Sequence, residues 1–260
     1  MTAEHRILLD AACAAAHAAG VAILDVYRQD FNVRHKADDS PVTRADEEAE
    51  AIIEERLAGA APDIPIIAEE RCAAQGLPST TPPRFWLVDP LDGTKEFISR
   101  NGEFTINIAL IEGDRPVLGV VYVPTQGVTY AARGNATRRR SGEPPQPIKA
   151  RPVPPRGAIV VHSRSHADDK RLAEYAATLP AATRRLAGSA FKFCLLAAGE
   201  ADLYPRFGPT AEWDTAAGQA VLEAAGGAVA TLDGAPLRYG KPGFRNPDFI
   251  ARGRSGQAMT

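Results

Sequence analysis

WLVDPLDGTKEF runs from Trp86 to Phe97 and joins two unlike halves. The first half, with Phe85 before it, is short and apolar, as a buried strand is. The second half places Asp89 and Asp92 three apart, then Gly93 and Thr94. A strand that ends in two carboxylates on a tight turn aims both at one point. Their mutual repulsion is unfavourable unless a cation neutralises it. Carboxylate and carbonyl oxygens suit hard ions such as magnesium. A solvated Asp-Gly turn accounts for this stretch alone equally well.

Three other places in the chain put acids where they can join that turn. Pro62 and Pro65 frame a short strand, residues 64–68, that runs into Glu69 and Glu70. If it lies beside the strand at 85–88, their terminal acids meet at one sheet edge. Asp214 precedes a helical pattern that continues to Ala225, closed by Gly226 and Gly227. A helix N-cap is the plain role for such an aspartate, and a capping carboxylate still has an oxygen for a metal. Asp46 follows Thr43 at capping-box spacing, with Glu47 and Glu48 suiting the helix dipole. Four or five oxygen ligands beside a hydroxyl suggest metal-assisted phosphoryl transfer to water. Thr94 and Asp46 could then orient the water and take its proton.

The wider pattern is α/β. Residues 4–28 read as an alanine-rich helix, and a second helix follows Thr43 to near Gly59. Strands at 104–111, 117–123 and 128–132 read as an antiparallel meander. Residues 135–156 hold six prolines and six arginines or lysines, which reads as an exposed linker or hairpin tip. This divides the chain into an N-terminal subdomain, 1–140, a linker, 141–156, and a C-terminal subdomain, 157–260. The latter alternates short strands with helices at 170–179, 191–198 and 214–225.

Thirty basic residues face thirty-two acidic ones, which argues against a partner that is a nucleic-acid polymer. Cys13, Cys72 and Cys194 are odd in number and widely spaced, so a disulfide framework or zinc cluster is not expected and a reducing cytoplasm fits. The N-terminus lacks the pattern of a signal peptide. The low-charge stretch 11–26 reads as too short and too polar to span a bilayer. Any membrane contact is then peripheral, on the inner face.

An apolar strand with Glu-Glu, then WLVDPLDGTKEF, then EWDTAAGQAV about 120 residues later resembles the inositol monophosphatase superfamily in order and spacing. The likeness extends from DSPVTRAD to NPDFIARG. It implies a layered α-β-α-β-α sandwich of two α/β subdomains with metals between them. Lys95-Glu96-Phe97 after the DGT, GSAFKFCLLAAGEADLYPRFGPTAEWDTAAGQ at 188–219, and PLRYGKPGFRNPDFIA near the C-terminus are most similar to the CysQ-type 3'(2'),5'-bisphosphate nucleotidases. That branch implies hydrolysis of the 3'-phosphate of adenosine 3',5'-bisphosphate to AMP and phosphate. The compound is a by-product of sulfate assimilation, and PAPS is a second expected substrate.

By the same resemblance Glu69, Asp89, Asp92 and Asp214 would be side-chain ligands of two or three magnesium ions. Leu91 would lend its backbone carbonyl. Asp46 and Thr94 would activate water, and Gly93 would let the backbone approach the scissile phosphate. Glu69, Leu91, Asp92 and Asp214 would then touch substrate as well as metal, and Gly93 and Thr94 would touch substrate. Lithium inhibition is implied as competition at a magnesium site. SRSH at 163–166 resembles a strand-end motif that contacts the nucleotide, which makes His166 a candidate. Ser189 and Lys192 open a helix where N–H groups and an ammonium can hold a second phosphate. Lys192 is otherwise a solvated helix lysine, and Arg206 is a further candidate or a loop brace.

Two departures stand out. Ala68 replaces a serine or glycine common in relatives, and the basic segment 138–156 has no clear counterpart. The rival readings are an inositol or sugar phosphate phosphatase on the same scaffold, and a non-catalytic nucleotide sensor. A monomer or a homodimer is compatible with the sequence.

Overall fold

The computed structural model describes residues 2–36, 41–163 and 170–255. In chain order these form α1 (Ala3–Tyr27), β1 (Val33–His35), β2 (Pro41–Thr43), α2 (Arg44–Ala60), β3 (Ile66–Ala68), α3 (Glu69–Gln75), β4 (Arg84–Asp92) and α4 (Thr94–Ile98). The meander follows as β5 (Thr105–Glu112), β6 (Arg115–Val123), β7 (Val128–Ala132), β8 (Ala136–Arg140) and β9 (Gln146–Pro147). The remainder is β10 (Ile159–His162), α5 (Lys170–Ala177), β11 (Thr183–Leu186), α6 (Phe191–Ala197), β12 (Leu203–Arg206), β13 (Thr210–Ala211), α7 (Ala216–Ala224), β14 (Ala228–Thr231), β15 (Arg245–Asn246) and β16 (Phe249–Arg252).

β3 to β9 make a seven-stranded sheet in sequence order, and β11-β10-β12-β16-β14 make a five-stranded one. The central strands are apolar on both sides because both sides are covered. Trp86, Val88, Ile106, Ile108 and Leu110 pack toward α1 and α2. Phe85, Leu87, Ala109 and Ile111 pack toward α6 and α7. Those two helices lie between the sheets, since their core also takes in Tyr204, Val229, Phe249 and Ala251 of the second sheet. Leu172 of α5 packs on the outer face with Val160 and Leu203. The order is α-β-α-β-α.

The close approach of α7 to the first sheet requires Gly119 on β6. A Cβ there would lie 2.6 Å from the Ala217 carbonyl oxygen and 2.7 Å from the Ala220 Cβ.

At 25 residues, α1 is longer than the apolar stretch taken from the sequence. By length and composition alone it could cross a bilayer, which corrects the expectation that it is too short. Its packing gives it another role. Leu8, Ala12, Ala15, Ala16, Ala19 and Ile23 are buried in the core shared with α2 and the sheet.

The proline-rich segment is ordered. β8 and β9 form a hairpin whose tip is residues 141–145. The chain then crosses to the second sheet, tied by the Ala150 N–H to the Ala225 carbonyl and by Arg151. The Arg151 guanidinium donates to both oxygens of the buried Asp202, at 2.7 and 2.6 Å.

Candidate metal centre and substrate cavity

β3 and β4 pair in parallel, with Ala68 opposite Val88. The residues that follow, Glu69 and Asp89, therefore leave the same sheet edge side by side. Asp214 arrives from the far side, on the loop between β13 and α7. One carboxylate oxygen from each of Glu69, Asp89 and Asp214 lies within 4.8 Å of the others.

The Asp89–Asp92 turn is a break in strand register between β4 and β5. Asp89 Oδ1 accepts the Leu91 N–H at 3.0 Å, which folds the turn back on itself. Asp92 is drawn toward the second half of the chain. Its Oδ2 accepts the Ala190 N–H at 2.6 Å and an Asn107 Nδ2 hydrogen at 3.1 Å. Gly93 then takes a left-handed conformation, φ 95, which glycine adopts at no steric cost.

Asp46 occupies its capping-box position on α2. Its Oδ2 accepts from the backbone N–H and the hydroxyl of Thr43, both at 2.8 Å. That leaves Oδ1 for the Thr94 hydroxyl, at 3.1 Å. Thr94 Oγ1 is also 3.4 Å from the Leu91 carbonyl oxygen.

Asp214 does not cap α7, contrary to its plain sequence role. The N-cap is Thr215, without a side-chain cap bond. Asp214 Oδ2 turns back to accept the Ala211 N–H at 2.9 Å, so the carboxylate belongs to the loop. The buried Asn246 fixes that loop by donating to the Ala211 carbonyl at 2.7 Å and to Thr215 Oγ1 at 3.0 Å. The fully buried Glu212 pins it to residues 240–241 through the N–H groups of Gly240 and Lys241 and through the Lys241 ammonium.

Ser189 and Lys192 line a cavity of about 140 Å³ together with Asp92, Asp214 and Arg206. Ser189 is in the left-handed region, φ 44, a strained state that persists where the surroundings enforce it. Lys192 is not the solvated helix lysine that its spacing allows. It is 3% exposed, with Nζ donating to the Ser189 carbonyl at 2.6 Å and lying 5.1 Å from the Tyr204 ring centre. Arg206 donates to the Pro209 carbonyl, while its buried Nε–H has no protein partner. His166 lies outside the described residues.

The electrostatics fit a cation. Burial pushes Asp89 well above the usual carboxylate range, and the charges of Glu69, Asp92 and Asp214 push it further. Burial, with Asp92 and Glu69, does the same to Asp214. Asp92 is raised to about 6 by burial, against the pull of Lys192 and its hydrogen bonds. A hard divalent ion relieves such a set of buried oxygens and is the chemistry this donor set suits.

Lys36 is a cation that no sequence pattern places here. The β1–β2 ribbon carries it in, and its Nζ sits 2.7 Å from Glu69 Oε1 and 2.6 Å from Glu70 Oε1. Burial would lower its pKa, but the two glutamates outweigh burial and raise it. Glu70 itself is pushed up to about 8, chiefly by burial.

This charge arrangement predicts a pH dependence for the metal-free protein. Burial raises Glu50 to about 7 and Glu70 to about 8, and raises Asp89 and Asp214 well above normal. Their unfolded values are about 4. The native state therefore binds more protons, and stability falls as pH rises through these folded values. Burial lowers His17 and His162 below the ordinary histidine value, so their contribution falls at the acid side of this window. In chelator, the thermal midpoint should drop between pH 6.5 and 8, and saturating magnesium should shrink that drop. A midpoint that climbs with pH in chelator would contradict the arrangement.

The model of the inositol monophosphatase family matches residues 5–254, and the chain belongs to that family. Within it, the chain is 49% identical over 246 residues to the 3'(2'),5'-bisphosphate nucleotidase CysQ of Escherichia coli strain K12, covering 93% of this chain and 98% of that one. Among solved structures it resembles CysQ from Bacteroides thetaiotaomicron, with TM-score 0.79, 36% identity and coverage of 95% and 97%. It also resembles the inositol monophosphatase of Anabaena, with TM-score 0.75, 29% identity and coverage of 95% and 90%.

Proposed function

We propose that this protein is a magnesium-dependent 3'(2'),5'-bisphosphate nucleotidase, which hydrolyses the 3'-phosphate of adenosine 3',5'-bisphosphate to AMP and phosphate. PAPS is a second substrate of the same kind. The observation that carries this reading is the cavity with Asp92 and Asp214 on its wall together with Lys192 and Arg206. A substrate with two phosphates suits such a site: one beside the acids and their cation, the other beside the two basic side chains. An inositol monophosphate has no second phosphate to engage them.

Glu69, Asp89, Asp92, Asp214 and the Leu91 carbonyl would hold the metal. When bound, it supplies a water of lowered pKa and neutralises charge on the phosphate oxygens. The protein's own part is proton handling and placement. Asp46 is fixed as an acceptor by Thr43, so the Thr94 hydroxyl donates to it. A water proton taken by Thr94 Oγ1 can pass to Asp46 Oδ1 along that bond. Ser189 and Lys192 orient the second phosphate, and Gly93 leaves its backbone open to the first. The three free cysteines, Cys13, Cys72 and Cys194, support a cytoplasmic setting.

A phosphate-release panel with magnesium tests the reading. Adenosine 3',5'-bisphosphate and PAPS should be turned over with the highest kcat/KM. Inositol 1-phosphate and fructose 1,6-bisphosphate should trail by tenfold or more, about 1.4 kcal/mol or greater in transition-state discrimination. A preference for inositol 1-phosphate would move the assignment to the rival phosphatase. Tight nucleotide binding without phosphate release would indicate a sensor.

A further inference from the structure

Seven-residue α3 starts at Glu69, and its N-cap, Ala68, offers no side-chain bond. The first N–H groups of a helix need partners from elsewhere. They find one on α2. Glu50 Oε2 accepts the Glu70 N–H at 2.7 Å, and Glu50 Oε1 accepts the Arg71 N–H at 2.6 Å. Glu50 is only 6% exposed. The Arg71 guanidinium adds a second tie, to Glu54 of α2 and to the Ile66 carbonyl of β3.

Glu50 stands four residues after Asp46, one turn further along the same helix face. Asp46 reaches the Asp89–Thr94 turn through the Thr94 hydroxyl, and Glu50 reaches the turn that begins with Glu69. One face of α2 thus holds both acid-bearing turns. The helix is itself fixed by the buried Ala45, Ala49, Ile53 and Leu57.

We propose that Glu50 is a positioning residue for the metal centre: its carboxylate holds the first turn of α3 so that the Glu69 carboxylate meets Asp89 and Asp214. Only a carboxylate can accept with both oxygens. Glutamine keeps the size but turns one acceptor into a donor, which then faces an N–H. The inference rests on the metal-centre reading above.

The test is calorimetric titration of the metal-stripped full chain with magnesium, alongside activity as a function of magnesium. Glu50→Gln should weaken magnesium binding about 10- to 100-fold, the usual effect of losing a partner that orients a ligand. Its kcat at saturating magnesium should stay within a few-fold of wild type. Glu50→Asp, which keeps the charge but is one methylene too short, should also weaken binding. Ile53→Ala, a core change on the same helix, should lower the melting temperature and leave magnesium affinity unchanged. The inference is overturned if both Glu50 variants bind magnesium within twofold of wild type, or if Ile53→Ala weakens binding as much. A wild-type chain that binds no magnesium would instead overturn the metal-centre reading itself.

Discussion

Asp89→Asn is expected to lower kcat by about a thousandfold or more, roughly 4 kcal/mol of transition-state stabilisation, while the protein stays folded. The side chain sits at the centre of the acid cluster and is 2% exposed. Asparagine keeps the size and still offers an oxygen to the Leu91 N–H, so the turn survives. It removes the negative charge that a divalent ion needs. It also removes a buried charge repelled by Glu69, Asp92 and Asp214, so in chelator the variant should melt no lower than wild type. The checks are phosphate release, and thermal melts with and without magnesium. Retained turnover would remove the metal model, and a large loss of metal-free stability would show that Asp89 is structural.

Thr94→Val is expected to lower kcat about 10²- to 10⁴-fold, the range over which general acid–base groups act, with magnesium affinity nearly unchanged. The hydroxyl donates to Asp46 at 3.1 Å, and valine fills the same space without it. No carboxylate of the Glu69–Asp89–Asp214 cluster is touched. Thr94→Ser should recover most of the rate because it restores the hydroxyl. Steady-state kinetics over a magnesium series separates the two roles. A rise in the magnesium requirement with no fall in saturated kcat would place Thr94 among the metal-holding groups instead.

These variants fall on residues whose positions the sequence made legible for different reasons. Asp46 was readable because a capping box is local, and the Thr43–Asp46 bonds are those its spacing implies. The meeting of Glu69 and Asp89 was readable because two apolar strands each end in acids, and strands that pair in parallel bring their ends to one edge. Asp214 was in the right place for a partly wrong reason, since Thr215 caps α7 and the Asp214 carboxylate folds back onto Ala211.

What stayed hidden depends on contacts distant in sequence. Lys36 reaches Glu69 across 33 residues through a two-stranded ribbon too short to show periodicity. Asn246 braces the Asp214 loop across 35 residues. Glu50 left a trace, its four-residue spacing from Asp46, but an acid on an acid-rich helix reads as solvated surface. Where helix α3 stands, the sequence shows only a strand running into Glu69 and Glu70, because the carboxylate that stabilises the helix comes from α2. The sequence shows the β8–β9 hairpin only as an alternative to a linker, because its prolines and arginines carry no strand pattern.

Buried carboxylates that repel one another weaken a fold, and they persist where function retains them. The most direct test of that function is anomalous diffraction from crystals grown with manganese in place of magnesium. A peak bonded to Glu69, Asp89 and Asp214 is the predicted result. Manganese bound elsewhere, with those three carboxylates empty, would contradict the account.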